Sequence, residues 1–146
     1  MLPDVDRARL PRTLILNPNE EEAALLLGRD LGGDRIADLV EIARRYDAVV
    51  NCYGRVVDPS GASWRVSAGG AGLGTSGSGD VLAGAIAGMA ARGMSAVHAA
   101  AWASWAHAGA GDRLSEHPGL GFLAGDLARE LTPTINRVLR PGAAAP

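Results

Sequence analysis

The sequence contains no lysine; all 14 of its basic residues are arginine. Chemistry that needs a lysine amine is thereby excluded, whether a Schiff base or the phosphate-reaching lysine of a P-loop. There is a single cysteine, Cys52, so neither an internal disulfide nor a cysteine-rich zinc site can form. Basic excess is missing too. The net charge is -2, which leaves nothing to neutralise a phosphate backbone and argues against nucleic acid as a partner. No run approaches the roughly 18 apolar residues of a membrane span. The first residues, MLPDVDRARL, carry charge where a signal peptide would be apolar. These absences predict a soluble, cytoplasmic chain with no membrane partner.

What is present fits one domain of 146 residues. Apolar residues make up 47% and charged residues 21%, enough apolar surface to offset the ordering entropy that keeps polar chains disordered. Glycine is abundant, with 20 residues against roughly 10 expected from average usage of about 7%. The glycines crowd between Gly69 and Gly93, where backbone is expected to approach a ligand.

Along the chain, residues 1–12 read as a lead-in. Thr13 to Leu16 is a short apolar run that predicts a buried strand. Asn19 opens a helix to Leu27, with Gly28 at the stop position. Asp34 to Tyr46 carries apolar residues at helical spacing. Ala48 to Cys52 reads as a second buried strand. Arg55 to Val57 and Trp64 to Val66 flank Asp58-Pro59-Ser60-Gly61, a hairpin signal. Residues 67–80 (SAGGAGLGTSGSGD) read as an ordered loop delivering the chain to a helix near Asp80. Val81 to Met94 is small and apolar nearly all round, which predicts a buried helix. Ala96 to Ala110 predicts another. Ser115 to Gly121 reads as a loop, Phe122 to Leu131 as a short helix, and Thr132-Pro133 as a fresh helix start. Residues 141–146 read as a disordered tail. No internal repeat is evident. The order predicts an α/β layered domain over residues 13–140, with a short, mostly parallel sheet, a hairpin and flanking helices. That sheet is thin for the number of apolar helices it must serve.

Gly72 to Gly77 matches the spacing G-x-G-x-x-G, but no strand precedes it and no acid lies about 20 residues beyond, as a dinucleotide fold requires. Gly74 to Gly79 has P-loop spacing, but Asp80 stands where that motif needs lysine. The physical content lies elsewhere. Gly77, Ser78 and Gly79 lead into a helix N-terminus. Glycines let successive N–H groups turn inward, and the helix end adds partial positive charge. Together they form an anion hole suited to a phosphate. At its lip, Asp80 is placed to take a proton from a hydroxyl attacking phosphorus. The alternative is that Asp80 merely caps the helix.

Asn19-Glu20-Glu21-Glu22 has two readings. One is a capping box between Asn19 and Glu22. The other is an acidic cluster, Glu22 included, that helps hold a hydrated Mg²⁺ near nucleotide phosphates without being a built metal site. His98 and His107 lie nine residues apart, on opposite helix faces, so they cannot share a metal; His107 reads as a hydrogen-bonded packing residue. Cys52 reads as a small buried apolar residue rather than a reactive thiol. Trp102 and Trp105 read as core or interface anchors, and Asp112 with Arg113 as a structural or solvated pair.

These segments in this order resemble the ribokinase-like superfamily, and more closely the ADP- or ATP-dependent NAD(P)H-hydrate dehydratases. Leu16-Asn17-Pro18-Asn19-Glu20-Glu21-Glu22-Ala23-Ala24 is similar to that family's L-T-P-H-P-G-E-A-A. Gly74-Thr75-Ser76-Gly77-Ser78-Gly79-Asp80-Val81-Leu82-Ala83-Gly84 is similar to its A-T-G-G-T-G-D-V-L-x-G. His107 to Asp112 resembles H-G-x-A-G-D, and Leu123 to Leu127 resembles L-A-x-D-L. The resemblance implies the C-terminal half of a ribokinase-like fold. It also implies repair of hydrated NADH or NADPH, with Mg²⁺ and ADP or ATP as cofactors. Asp80 would be the catalytic carboxylate at the hydrate. Gly77, Ser78 and Gly79 would bind phosphate. Asn19 would contact the hydrate in place of the family's histidine. Cys52 stands near a family lysine, and Gly70 replaces a family asparagine. The implied partners are the nucleotide and the hydrate, with a homo-oligomer or a complementary chain supplying the other half. Two other readings stay open: a ribokinase-like small-molecule kinase, favoured by Asn19, and a non-catalytic half-domain.

Overall fold

The computed structural model describes residues 13–116 and 121–139. The predicted lead-in at 1–12 and tail at 141–146 lie outside the described residues, as does most of the predicted loop at 115–121.

Four strands and five helices are present among those residues: β1 (Ile15–Leu16), α1 (Glu20–Leu27), α2 (Arg35–Tyr46), β2 (Val49–Cys52), β3 (Arg55–Val57), β4 (Ser63–Arg65), α3 (Ser78–Ala91), α4 (Ala96–Glu116) and α5 (Ala124–Leu139). A 3-10 turn at Ala71–Gly74 precedes α3. The sheet order is β1-β2-β3-β4. β1 and β2 run parallel, Ile15 opposite Val49. The β2–β3 and β3–β4 pairings are antiparallel. The sheet is therefore mixed rather than mostly parallel. Only one crossover, through α1 and α2, returns a strand in the same direction; the rest are hairpins.

Local chemistry explains the elements. Asn19 caps α1, and Gly28, at φ 81°, ends it in the left-handed region that glycine adopts without strain. α1 has no basic residue in its own last turn. Arg45 of α2 supplies one instead, donating to the carbonyls of Leu26 at 3.0 Å and Leu27 at 2.7 Å. Asp34 caps α2 by accepting from the N–H of Ala37. The predicted β3–β4 hairpin forms, one residue earlier in its second strand. Asp58 Oδ1 accepts from the N–H groups of Ser60 and Ala62 and so holds its turn. The β2–β3 hairpin was not predicted. It turns through Tyr53 (φ 45°) and Gly54 (φ 70°), the two positive-φ positions of a type I′ turn.

Side chains alternate across the sheet. Leu16, Val50, Cys52 and Val57 face α1 and α2 and pack with Leu26, Leu27, Leu39 and Ile42. Val49 and Val56 face the other way, onto Ala100 of α4. A third cluster, Ala110, Phe122 and Leu127, sits where α4 meets α5.

Three predicted boundaries move. α3 begins at Ser78, and its cap is Gly77, not Asp80. α4 runs on to Glu116 instead of stopping near Ala110, because Ala110 and Gly111 stay buried and the following residues keep the helical contacts. Thr132-Pro133 does not start a new helix. α5 passes through Pro133, since Leu127, Leu131 and Thr134 form one inward stripe at i, i+4 and i+7. Pro133 itself is exposed.

Candidate functional site

α4 is the spine on which the glycine loop lies. The N–H of Gly69 donates to Asp112 Oδ2 at 3.1 Å. Gly69 (φ 97°) packs so closely on Leu73 that a Cβ there would lie 2.7 Å from it. Gly72 is buried under the ring of Phe122. The predicted pairing of Asp112 with Arg113 does not form: Asp112 holds the loop, and Arg113 bonds to Glu130 of α5.

The loop then closes onto α3. Gly77 takes φ 85°, a conformation that aims the following N–H groups outward together. The N–H of Ser78 turns back to the carbonyl of Thr75 at 3.1 Å, and that of Val81 donates to Gly77 at 3.1 Å. The N–H groups of Gly79 and Asp80, between them, have no protein acceptor among the described residues. Nothing would crowd a Cβ at Gly74 or Gly79, so the space before these donors is open. The carboxylate of Asp80 is exposed and makes no ion pair or hydrogen bond among the described residues. It occupies the third helical position, so the capping alternative for Asp80 does not describe this helix.

Ser78 differs from its glycine neighbours. It is buried, and Nε2 of His107 lies 3.0 Å from both its Oγ and its carbonyl oxygen. A carbonyl can only accept, so that ring nitrogen carries the proton. Burial pulls the His107 pKa below the ordinary imidazole range, with the bond to the Ser78 backbone opposing. The Ser78 N–H is thus engaged by Thr75, while its Oγ accepts from Nε2–H and keeps its own proton. Through these bonds Ser78 fixes the start of α3. His107 is the buried, hydrogen-bonded residue that its position predicted.

Asn19 and Glu22 form the full capping box. Asn19 Oδ1 accepts from the Glu22 N–H at 2.8 Å, and Glu22 Oε2 accepts from the Asn19 N–H at 2.9 Å. One carboxylate oxygen of Glu22 is therefore already occupied. Glu20 pairs with Arg35. α1 packs on α2, whereas α3 packs on α4 and α5. No group of three or more His, Cys, Asp or Glu among the described residues could hold a metal directly.

One polar string escaped the sequence reading. Ser104 of α4 donates to Asn51 Oδ1 at 3.0 Å, and Asn51 Nδ2 donates to Asn17 Oδ1 at 2.7 Å. It lies at the carboxyl ends of β1 and β2, the edge where open α/β sheets bind ligands. The available signal was an asparagine inside the apolar run Val49-Val50-Asn51-Cys52 and a serine inside an alanine-rich helix. Cys52 is buried, and burial pushes its thiol up to about 11, consistent with an apolar role. It floors a cleft of about 430 Å³ that Glu20, Arg35, Tyr53 and Arg55 also line. The glycine loop takes no part in it. Trp102 and Trp105 meet edge to face, centroids 5.5 Å apart, with Trp102 exposed. No helix among the described residues is long and apolar enough to cross a membrane.

Comparison with known proteins agrees with these features. A family profile for NAD(P)H-hydrate dehydratase matches residues 3–133. The ADP-dependent (S)-NAD(P)H-hydrate dehydratase of Xanthomonas campestris pv. campestris is 41% identical over 141 residues, covering 92% of this chain and 49% of the relative. That of Neisseria meningitidis serogroup B is 36% identical, covering 91% and 48%. The solved structure of the ADP/ATP-dependent NAD(P)H-hydrate dehydratase from Bacillus subtilis, co-crystallized with ATP/Mg²⁺, superposes with a TM-score of 0.79 at 25% identity, over 86% of this chain and 48% of that one. The chain spans about half the length of the curated relatives it matches. It belongs to the NAD(P)H-hydrate dehydratase family.

Proposed function

We propose that this chain carries the phosphate-binding and proton-accepting half of a nucleotide-dependent NAD(P)H-hydrate dehydratase. The observation that carries this reading is the pair of unpartnered N–H groups at Gly79 and Asp80, opening beside the free carboxylate of Asp80 at the start of a 14-residue helix. Gly77 sets the turn and Gly79 donates to a phosphate oxygen. Ser78 is anchored to His107 and keeps its hydroxyl proton for a phosphate oxygen. Asp80 accepts the proton of the hydrate's hydroxyl as its oxygen attacks the terminal phosphorus of ADP or ATP and displaces AMP or ADP. The phosphate then leaves with its C–O electron pair while the adjacent ring carbon loses a proton, and the nicotinamide double bond is restored.

The residues present fit a nucleotide phosphate, because donors and open space coincide. Mg²⁺ would enter with the nucleotide, held largely by phosphate and water, with Glu22 at most an outer partner. It would neutralise phosphate charge. Asn19 is offered to the hydrate only through the part of its amide that the capping box leaves free. Residues 13–140 act as a half-domain, completed by a complementary polypeptide or by oligomerisation.

The test has two stages. Mg-ADP and Mg-ATP should raise the melting temperature of the chain. At a ligand concentration of 100 times Kd, the stabilisation is about 2.7 kcal/mol. Hydrated NADH should then be converted to NADH, read as returning nicotinamide absorbance, and Asp80→Asn should abolish turnover while preserving the nucleotide shift. Phosphate transfer to a sugar or alcohol instead would establish a kinase. Absence of any shift, in the chain alone and with a complementary half, would refute the cradle.

A further inference from the structure

Ser78 is the first residue of α3 and stands between two glycines. Glycines give a segment the widest backbone choice, so nothing in the local sequence fixes where the Ser78 side chain lies. The fold fixes it from α4. Ser78 is only 5% exposed. Its N–H reaches the Thr75 carbonyl at 3.1 Å, and its carbonyl oxygen and Oγ each lie 3.0 Å from His107 Nε2. His107 is itself buried on α4, among Ala103, Ala106 and Ala110 of the same helix. Further along α4, Asp112 holds the N–H of Gly69 at the other end of the loop. One rigid helix thus grips the glycine loop at both ends.

The bond pattern at Ser78 decides what its hydroxyl can do. Nε2 shares one proton between two oxygens. The carbonyl can only accept, so Oγ accepts as well. A serine hydroxyl also has one proton to give. No other hydrogen bond of Ser78 Oγ is present among the described residues, so that proton is not used inside the protein. A buried donor left without an acceptor costs free energy, which a ligand oxygen would recover. The N–H groups of Gly79 and Asp80 are likewise without protein acceptors among the described residues. Ser78, Gly79 and Asp80 therefore each keep one donor at the head of α3. A phosphoryl group brings three terminal oxygens to such a helix start.

We infer that His107 is a positioning residue for the anion cradle: by holding the carbonyl and Oγ of Ser78 with one Nε2 proton, it sets the Ser78 hydroxyl as a third donor to a bound phosphoryl group. His107 acts through Ser78 and does not touch the ligand. Its contribution is to fix the donor before the ligand arrives, which a glycine-flanked residue could not do alone. This rests on the phosphate-binding part of the proposed function, not on the hydrate chemistry, so the two can fail separately.

The experiment measures the affinity of the full chain for inorganic phosphate and for Mg-ADP by isothermal titration, at a pH of about 7.5, where an ordinary imidazole is neutral. Ser78→Ala and His107→Leu should each weaken binding about tenfold or more, as loss of one hydrogen bond to a charged group does. The double variant should be no weaker than either single one, because both changes remove the same donor. His107→Gln keeps an N–H at the ε position and should restore most of the affinity. If His107 only packs the helix, the losses add and glutamine brings no rescue. A ¹⁵N-histidine spectrum of the wild type should place the ring proton on Nε2. Wild-type affinity in Ser78→Ala, additive losses, absence of rescue, or a ring proton on Nδ1 alone each overturns the inference. Should His107→Leu fail to fold, Ser78→Ala, His107→Gln and the spectrum decide it. A chain that binds phosphate as described but repairs no hydrate leaves the positioning role standing and overturns only the dehydratase activity. Hydrate repair and phosphate binding that are indifferent to Ser78→Ala do the reverse. A wild-type chain that takes up neither anion overturns both.

Discussion

Gly72 should be intolerant of even one methyl group. A Cβ at this position would lie 2.5 Å from Cε1 and 2.7 Å from Cζ of Phe122. Carbon atoms pack at about 3.5–4.0 Å, so the ring would have to retreat by about 1 Å. It has little room to do so, because Phe122 is only 4% exposed and packs in the cluster with Ala110 and Leu127. Overpacking of this kind costs about 1–3 kcal/mol, a fall in Tm of about 4–12 °C for a chain of this length. A double-mutant cycle isolates the contact. Phe122→Ala alone should cost about 3–5 kcal/mol. In the Gly72→Ala background it should cost about 1–3 kcal/mol less, because the truncated side chain vacates the space the methyl needs. Urea denaturation of the four proteins, followed by circular dichroism and tryptophan fluorescence to check for coincident transitions, supplies the numbers. Additivity within about 0.5 kcal/mol, or a neutral Gly72→Ala, would refute the reasoning.

Other consequences can be checked on the same material. His107 is held neutral by burial, so its folded pKa lies below the unfolded value of about 6.5. The unfolded chain then binds the proton first. Stability is unaffected above that pH and declines as pH falls below it; His107→Gln should remove this decline between pH 7.5 and 5.5, and an unchanged slope would exclude His107 as its source. With its thiol near 11, native Cys52 should react with iodoacetamide at pH 8 about 100-fold more slowly than an ordinary thiol; equal rates in native and urea-unfolded protein would contradict its burial. Asn19→Ala removes the side-chain half of the capping box and should cost about 1 kcal/mol, measurable as a lower urea midpoint, with Asn19→Asp restoring most of the loss.

Local signals were legible in the sequence where one residue decides the backbone. Asn19 with Glu22, Gly28, Asp34 and the Asp58 turn all act within a few positions of themselves. At the head of α3 the glycine turn was legible, but the helix starts at Ser78 after Gly77, two residues before the expected Asp80. Tyr53 hid the β2–β3 hairpin, because a tyrosine at φ 45° is not a residue that marks a turn. Pro133 misled for the opposite reason. Its local preference is strong, yet the stripe of Leu127, Leu131 and Thr134 carries the helix past it. Ser78 reads as part of a polar loop, and only the fold reveals His107 beside it, 29 residues away. The pairing of Asn51 with Ser104 spans 53 residues, beyond any local pattern.

That last pair bears on how the two ends of the chain find each other in folding. The layer joining β2 and β3 to α4 is narrow: Val49 and Val56 against Ala100, bordered by Ile15, Ala96, Val97 and Ala101. Alanine surfaces look nearly alike from one helical turn to the next, so apolar contact alone would let α4 slip along the strands with little change in energy. Ser104 and Asn51 break that degeneracy. A slip of one turn would leave the buried amide of Asn51 without its donor, at about 1–3 kcal/mol. One hydrogen bond therefore selects the alignment of α4, and with it the placement of His107, the glycine loop and the head of α3, all mounted further along the same helix.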